Sequence, residues 1–192
     1  MTTGRDTRER VLRTAAGLFQ RQGYHGTGLN QIVSAGQAPK GSLYFHFPGG
    51  KEQIAVEAVA MSAEALGEQL RAALTAADPR TGLTAVVDLL AAQLTASEYL
   101  TGCPVAAVAQ DAAGASQPIR SACGQAYAAW IDGIAAALRG WGVPVEQSGP
   151  LATVILSAVE GALLLARVQH DTAPLRAVAD QLATFVNASI AP

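Results

Sequence analysis

Sulfur and aromatic rings are scarce in this chain. It holds two cysteines, two methionines, two tryptophans and four phenylalanines in 192 residues. Cys103 and Cys123 are too few for a disulfide framework, so stability must come from an ordinary core. They read as reduced core thiols, with a disulfide or redox switch as the alternative. His25, His46 and His170 are scattered, and none stands at metal-ligand spacing from a cysteine. The expectation is therefore no metal and no cofactor. No glycine-rich phosphate loop and no nucleophile elbow occurs, so an enzyme is not expected. The longest apolar run, around Leu163–Ala166, is far short of the roughly 20 residues that span a bilayer, which argues against a membrane partner. The segment MTTGRDTRERVLR is charged and lacks the apolar stretch of a secretory signal, as in a cytoplasmic protein.

No segment alternates apolar and polar residues over strand length, and half of the chain is hydrophobic. Alanine dominates and β-branched runs are short, which together read as all-α with ample material for a core. Apolar spacing predicts a first helix over 6–22, carried by Val11, Leu12, Ala15, Leu18 and Phe19 and stopped by Gly23. A short helix follows Thr27, with Leu29, Ile32 and Val33 as its stripe. Gly36 then breaks the pattern, and Pro39 suits the first turn of another short helix in PKGSLYFHF. Pro48, Gly49 and Gly50 close that unit, and Lys51 opens a long helix reaching Leu70. Further helices are expected over 83–96 after the loop AADPRTG, from near Cys103, over 119–139, over 151–169 and over 174–188. The stretch GWGVPVEQSGP reads as the clearest linker, closing on Pro150.

The formal net charge of −2 conceals a partition. Residues 1–51 carry seven Lys and Arg against two acids, a net of +5, while the remainder carries six against thirteen, a net of −7. A basic head on an acidic body suits a polyanion-binding module whose body avoids polyanions. A chance fluctuation on a solvated surface would look the same.

Two short helices joined by a glycine-containing turn, after a packing helix, form a helix-turn-helix pattern whose second helix would enter a major groove. Gly36 is expected to take the left-handed conformation of the turn. Leu43 and Phe47, four apart, would point inward, leaving Lys40, Ser42, Tyr44 and His46 outward. Lys and Ser can bond base edges or phosphates, and Tyr can meet a phosphate or a thymine methyl. Gly41 would let backbone come close to the duplex. The alternative is a helical hairpin with these groups merely solvated.

The stretch TRERVLRTAAGLFQRQGYHGTGLNQIVSAGQAPKGSLYFHFPGGKEQIAVEAV, residues 7–59, resembles the DNA-binding domain of TetR-type transcriptional regulators. APKGSLYFHFPGGKEQ followed by TGCPVAAVAQD resembles the LmrA/YxaF-like branch in particular. The resemblance implies a helix-turn-helix DNA-binding domain over 1–50 and a helical ligand-binding and dimerisation domain over 51–192. It implies a homodimer on double-stranded DNA with a palindromic operator, and a repressor released by a small hydrophobic or aromatic effector. It places Thr27 at a phosphate through its hydroxyl and backbone N–H. Tyr44, His46 and Lys51 would grip phosphate as well, Lys51 with help from the positive end of its helix. Lys40 and Ser42 become the base readers. Gly28 departs from the pattern, standing where many relatives carry a second Thr, and Gln37 replaces a commoner small residue and could add a polar contact.

The body is read from its apolar faces. The helix LATVILSAVEGALLLARV is apolar on more than one side, with Leu151 and Ile155 on one and Leu156, Val159 and Leu163 on another. Together with Leu182 and Phe185 of the last helix these are the expected dimer contacts, unless both helices simply complete a monomeric core. Cys123, Tyr127, Trp130, Ile134 and Leu138 form one stripe. Tyr127, Trp130 and Ile134 could line an effector pocket with Leu66, Leu70 and Cys103, and with Gln110 and Asp111 as polar partners. The same stripe could equally be plain core. Two rival classes remain, a nucleoid-type architectural protein binding DNA without preference and a helical enzyme turning over its ligand.

Overall fold

The computed structural model describes residues 4–190, the side chains of Arg5, Lys40 and Ser42 excepted. Every regular element among them is a helix, and the fold class is all-α. The helices are α1 Gly4–Gln22, α2 Leu29–Ala35, α3 Lys40–His46, α4 Gly50–Ala73, α5 Pro79–Ala96, α6 Pro104–Ala112, α7 Gln117–Gly140, α8 Val145–Gln169 and α9 Ala173–Ala188. They group into two compact units. One takes the chain up to Glu64 together with Cys103–Ala126, the other Ala65–Gly102 together with the chain from Tyr127 onward.

In the first unit α1 packs on α2 and α6. Phe19, Ile32, Leu43, Phe47, Ile54, Val59 and Ile119 are fully buried. Helices of seven residues such as α2 and α3 are not stable alone. Burial holds them in place, at about 1.5–3 kcal/mol for each large apolar side chain. In the second unit α9 packs on both α5 and α8, which also touch each other. Leu83, Leu94, Leu138 and Leu175 form its interior. Trp141 fastens one corner. Its Nε1 donates to the Ala76 carbonyl at 2.7 Å, and its ring lies so near Gly82 that a Cβ there would stand 2.6 Å from Trp141 Cζ2.

Three local expectations need correction. Helix α5 begins at Pro79 rather than Leu83, because Asp78 caps it by accepting from Thr81 N at 3.0 Å and Pro79 occupies the first turn, where its missing N–H costs nothing. Helix α8 begins at Val145, so the linker shrinks to the residues before Pro144 and Pro150 lies inside the helix. That proline forgoes one backbone bond, the one to the Glu146 carbonyl. The buried face of α8 compensates, with Leu151, Ala152, Ile155, Val159 and Ala162 all packed away. Finally, α8 is long and apolar enough to cross a membrane by length and composition, with a mean hydropathy of 1.9 over its most apolar 18 residues. Counting only unbroken apolar residues missed this. One face of α8 nonetheless packs on α5 and α9, as a core helix does.

Candidate nucleic-acid interface

The turn between α2 and α3 is built around two residues with exchanged roles. Gly36 is right-handed, with φ −79° and ψ −1°, and the left-handed residue is Gln37 at φ 48°. The glycine is needed for space instead, since a Cβ at Gly36 would stand 2.9 Å from the Ile32 carbonyl and 3.5 Å from Thr14 Oγ1. Gln37 bears the left-handed strain, of order 1–2 kcal/mol for a residue with a Cβ. Arg10 of α1 holds the turn in that shape. Its Nε donates to Gly36 O at 2.7 Å and its Nη2 to Gln37 O at 3.4 Å. In the sequence Arg10 shows only as a charge, although an arginine one helical face away from an α1 core stripe is the group that could reach a turn carbonyl.

The basic excess of residues 1–51 is thus partly spent inside the fold. Arg8 pairs with Glu57 and lies 5.1 Å over the Phe47 ring, Arg10 binds the turn, and Arg13 pairs with Glu9. Thr27 is fully buried. Its hydroxyl donates to Gly23 O at 2.8 Å and accepts from Gln22 Nε2 at 3.2 Å. Its backbone N–H donates to Tyr24 O at 3.2 Å. Both donors expected to meet a phosphate are thereby engaged in shaping the turn between α1 and α2. Gly28 caps α2 with no side-chain bond, in open space.

Leu43 on α3 and Phe47 at its C-cap are buried as expected, while Tyr44 and Phe45 are exposed and His46 is half-buried. Gly41 is exposed, with nothing within 4 Å of where a Cβ would stand. The side chains of Lys40 and Ser42 lie outside the described ones. Phe45 was overlooked because an apolar residue in an apolar stretch reads as core until its neighbours fix the helix face.

After α3 the chain reverses. Gly50 N donates to Phe47 O at 2.9 Å with Gly50 at φ 62°, and α4 starts there, with Lys51 as its second residue. The Lys51 ammonium lies 4.3 Å above the Tyr24 ring. Burial lowers its pKa from the ordinary 10.5, and the Asp111 carboxylate works against that shift. Tyr24 is pushed up, first by burial and then by Glu52. Asp111 Oδ2 also accepts from the His25 backbone N–H at 2.5 Å. Asp111 therefore serves the first unit, tying α6 to the segment after α1.

Family comparisons decide what this arrangement belongs to. Residues 11–58 match the bacterial regulatory proteins of the tetR family. Residues 79–181 match the C-terminal domain of LmrA/YxaF-like transcriptional regulators. The chain belongs to the TetR family. It is 40% identical to the HTH-type transcriptional regulator LmrA of Bacillus subtilis, over 88% of this chain and 91% of that one. It is 37% identical to the uncharacterized HTH-type regulator YxaF of the same organism, over 97% and 98%. A crystal structure of a TetR transcriptional regulator from Chloroflexus aurantiacus superposes with a TM-score of 0.80 at 28% identity, covering 97% of both chains. As a member of the TetR family the protein is a DNA-binding transcriptional regulator, and its relatives are regulators rather than enzymes.

The remaining expected residues of this TetR-family chain separate by unit. Leu66, Leu70, Tyr127, Trp130 and Ile134 lie in the second unit, whereas Cys103, Gln110 and Asp111 lie in the first. Cys103 caps α6, its sulfur accepting from Ala106 N at 3.4 Å, with Pro104 in the first turn. Cys123 is buried, which raises its thiol pKa. Trp130 stacks edge-on with Tyr127 at 5.7 Å between centroids. With Leu70, Leu74 and Ile134 it borders a recess of about 10 Å³, the space of one water molecule. Pockets that hold drug-sized ligands measure roughly 300–1,000 Å³.

Burial also sorts the expected dimer contacts. Leu151, Ile155, Val159, Leu163 and Leu182 are buried within the protomer, Leu156 is half-buried, and Phe185 is exposed. A side chain already buried on α5 or α9 has little surface left for a partner. Beyond Val145 at its start, the exposed large apolar residues of α8 are Val154, Leu164, Leu165 and Val168. Val154, Leu165 and Val168 fall with Ala158 and Gly161 on a single stripe at spacings of three and four.

Proposed function

We propose that this protein is a repressor that binds a palindromic operator as a homodimer and is released by a small hydrophobic or aromatic molecule. The head would be residues 1–50 and the body residues 51–192. The outward surface of α3, with Tyr44 and Phe45 exposed on a helix-turn-helix, carries the operator reading. Its two-fold partner would be met along the α8 stripe and Phe185. That gives an isologous contact, and with it two inverted half-sites. The protein would work in the cytoplasm with no membrane partner, since covering the α8 stripe with a second copy accounts for its apolar surface.

Lys51 and Tyr44 would meet phosphate, and Gln37 stands exposed at the turn where it could add a contact. The effector would enter beside Trp130, and the small recess there means that the surrounding helices must open to admit it. Release requires the ligand to prefer the arrangement that does not bind DNA, because equal affinity for both shifts nothing. Helix α4, which begins beside Lys51 and ends beside Leu70, is the element that such opening would move.

The test is a reporter gene placed behind the duplex that the full chain enriches from random DNA. Expression should fall when the protein is present and recover with an effector drawn from a library of aromatic compounds. Raised expression on adding the protein would overturn the repressor reading. Calorimetry of that compound on free and operator-bound protein should show the reciprocal loss of affinity that linkage demands.

A further inference from the structure

Phe45 is 83% exposed, the most exposed of the large apolar side chains described. At about 100° per residue, it points roughly 160° away from Leu43, the buried residue that anchors α3. Phe45 therefore stands at the centre of the outward face, with Tyr44 and His46 at its flanks. Gly41 lies one turn earlier and about 40° round the same face. It leaves a notch there, since nothing lies within 4 Å of the position a Cβ would take. The His46 ring meets the Phe45 ring edge-on, 5.2 Å between centroids at 78°, and limits where it can turn. A phenylalanine held in water on a seven-residue helix contributes nothing to the core, so folding does not account for it.

We propose that Phe45 reads a thymine methyl in the major groove, with the methyl seated between its ring and the backbone at Gly41. This rests on the proposal that α3 reads an operator. The ring has no donor or acceptor, so it cannot discriminate the hydrogen-bonding edges of guanine, adenine or cytosine. Among the four bases only thymine offers a methyl group in that groove, and phenylalanine is suited to meet it. The specificity follows from the absence of polar atoms at the middle of a face whose flanks are polar.

The experiment uses the full-length protein and the duplex it enriches from a random-sequence pool. Each thymine is replaced in turn by deoxyuridine, which removes the methyl and keeps every hydrogen-bonding group. The wild type should lose about fourfold in affinity at one position per half-site, the effect of one buried methyl. Substitution in both half-sites should cost roughly fifteenfold. Phe45→Ala should melt at the wild-type temperature and be indifferent to uracil at that position, while Phe45→Leu should keep part of the penalty. Measurement at low salt, where phosphate contacts strengthen binding, keeps the weaker variants in range. An operator indifferent to uracil throughout, or Phe45→Ala retaining the full penalty, overturns this proposal alone. Failure to enrich any duplex overturns the operator-reading proposal and this one with it.

Discussion

Leu163→Ala and Leu165→Ala, two residues apart on α8, should break different things. Leu163 is 6% exposed and Leu165 is 53% exposed. Truncating Leu163 removes methyl groups from the protomer's own core and should cost about 2–5 kcal/mol of stability. Truncating Leu165 leaves that core intact. About half of its side chain remains to be buried by a partner, worth ~1 kcal/mol of the ~2 kcal/mol for a whole leucine. In a two-fold contact each copy carries the change, so the dimer should lose ~2 kcal/mol, about 30-fold in its dissociation constant. Leu165→Glu should do more, because two carboxylates would be drawn out of water without partners. Sedimentation equilibrium over a range of protein concentrations gives the dissociation constant, and melting at matched concentrations separates protomer stability from assembly. The reasoning fails if Leu165→Ala leaves the dissociation constant unchanged. It fails equally if Leu163→Ala dissociates the dimer while melting like the wild type.

Lys51→Ala should weaken binding to every duplex and make the salt slope shallower by about one. The lost contact with Tyr24 should also cost about 0.5–1 kcal/mol, visible as a small fall in melting temperature. Tyr24 holds its proton more tightly folded than at its ordinary 10.0, through burial and then Glu52. Its contribution to stability is therefore complete below pH 10 and drains away as pH rises through the higher folded value. Tyr24→Phe should remove that share of the alkaline loss in denaturant titrations, and an unchanged pH profile would contradict it. Gly28→Thr should raise stability by a few tenths of a kcal/mol by capping α2 in open space. If the added hydroxyl also meets a phosphate, affinity should rise on all sequences alike in filter-binding assays.

The helix-turn-helix was legible because glycine and proline punctuate it so heavily. Gly23, Gly36, Pro39, Pro48 and Gly50 mark the ends of short elements, and boundaries there fall within a few residues of expectation. Within the turn the left-handed residue is Gln37 and not the expected Gly36. A glycine in a turn suggests backbone freedom, whereas Gly36 is required by the nearness of Ile32 O and Gln37 tolerates the strain because Arg10 holds the carbonyls around it. The body was harder for a different reason. Helix α8 is apolar on both stripes, and apolar spacing alone cannot say which stripe meets α5 and α9 and which stays outside. Only packing separates Leu163 from Leu165. Asp111 was likewise drawn towards Trp130 by their shared place in the body sequence, yet its carboxylate is held at the backbone of His25.

The placement of the two tryptophans has an optical consequence. Trp130 borders the recess, and Trp141 is pinned by its bond to the Ala76 carbonyl and its contact with Gly82. Both belong to the second unit, so the emission excited at the red edge of protein absorbance comes from that unit alone. The helix-turn-helix is dark at those wavelengths, its fluorophores being the tyrosines Tyr24 and Tyr44. Replacing Trp141 with phenylalanine would leave a single-tryptophan protein whose spectrum follows the surroundings of Trp130. Replacing Trp130 would instead leave an internal standard that moves only when the Ala76 corner loosens. A colour shift in the first protein with a constant spectrum in the second would separate arrival of a small molecule from general softening of the body, with no label attached.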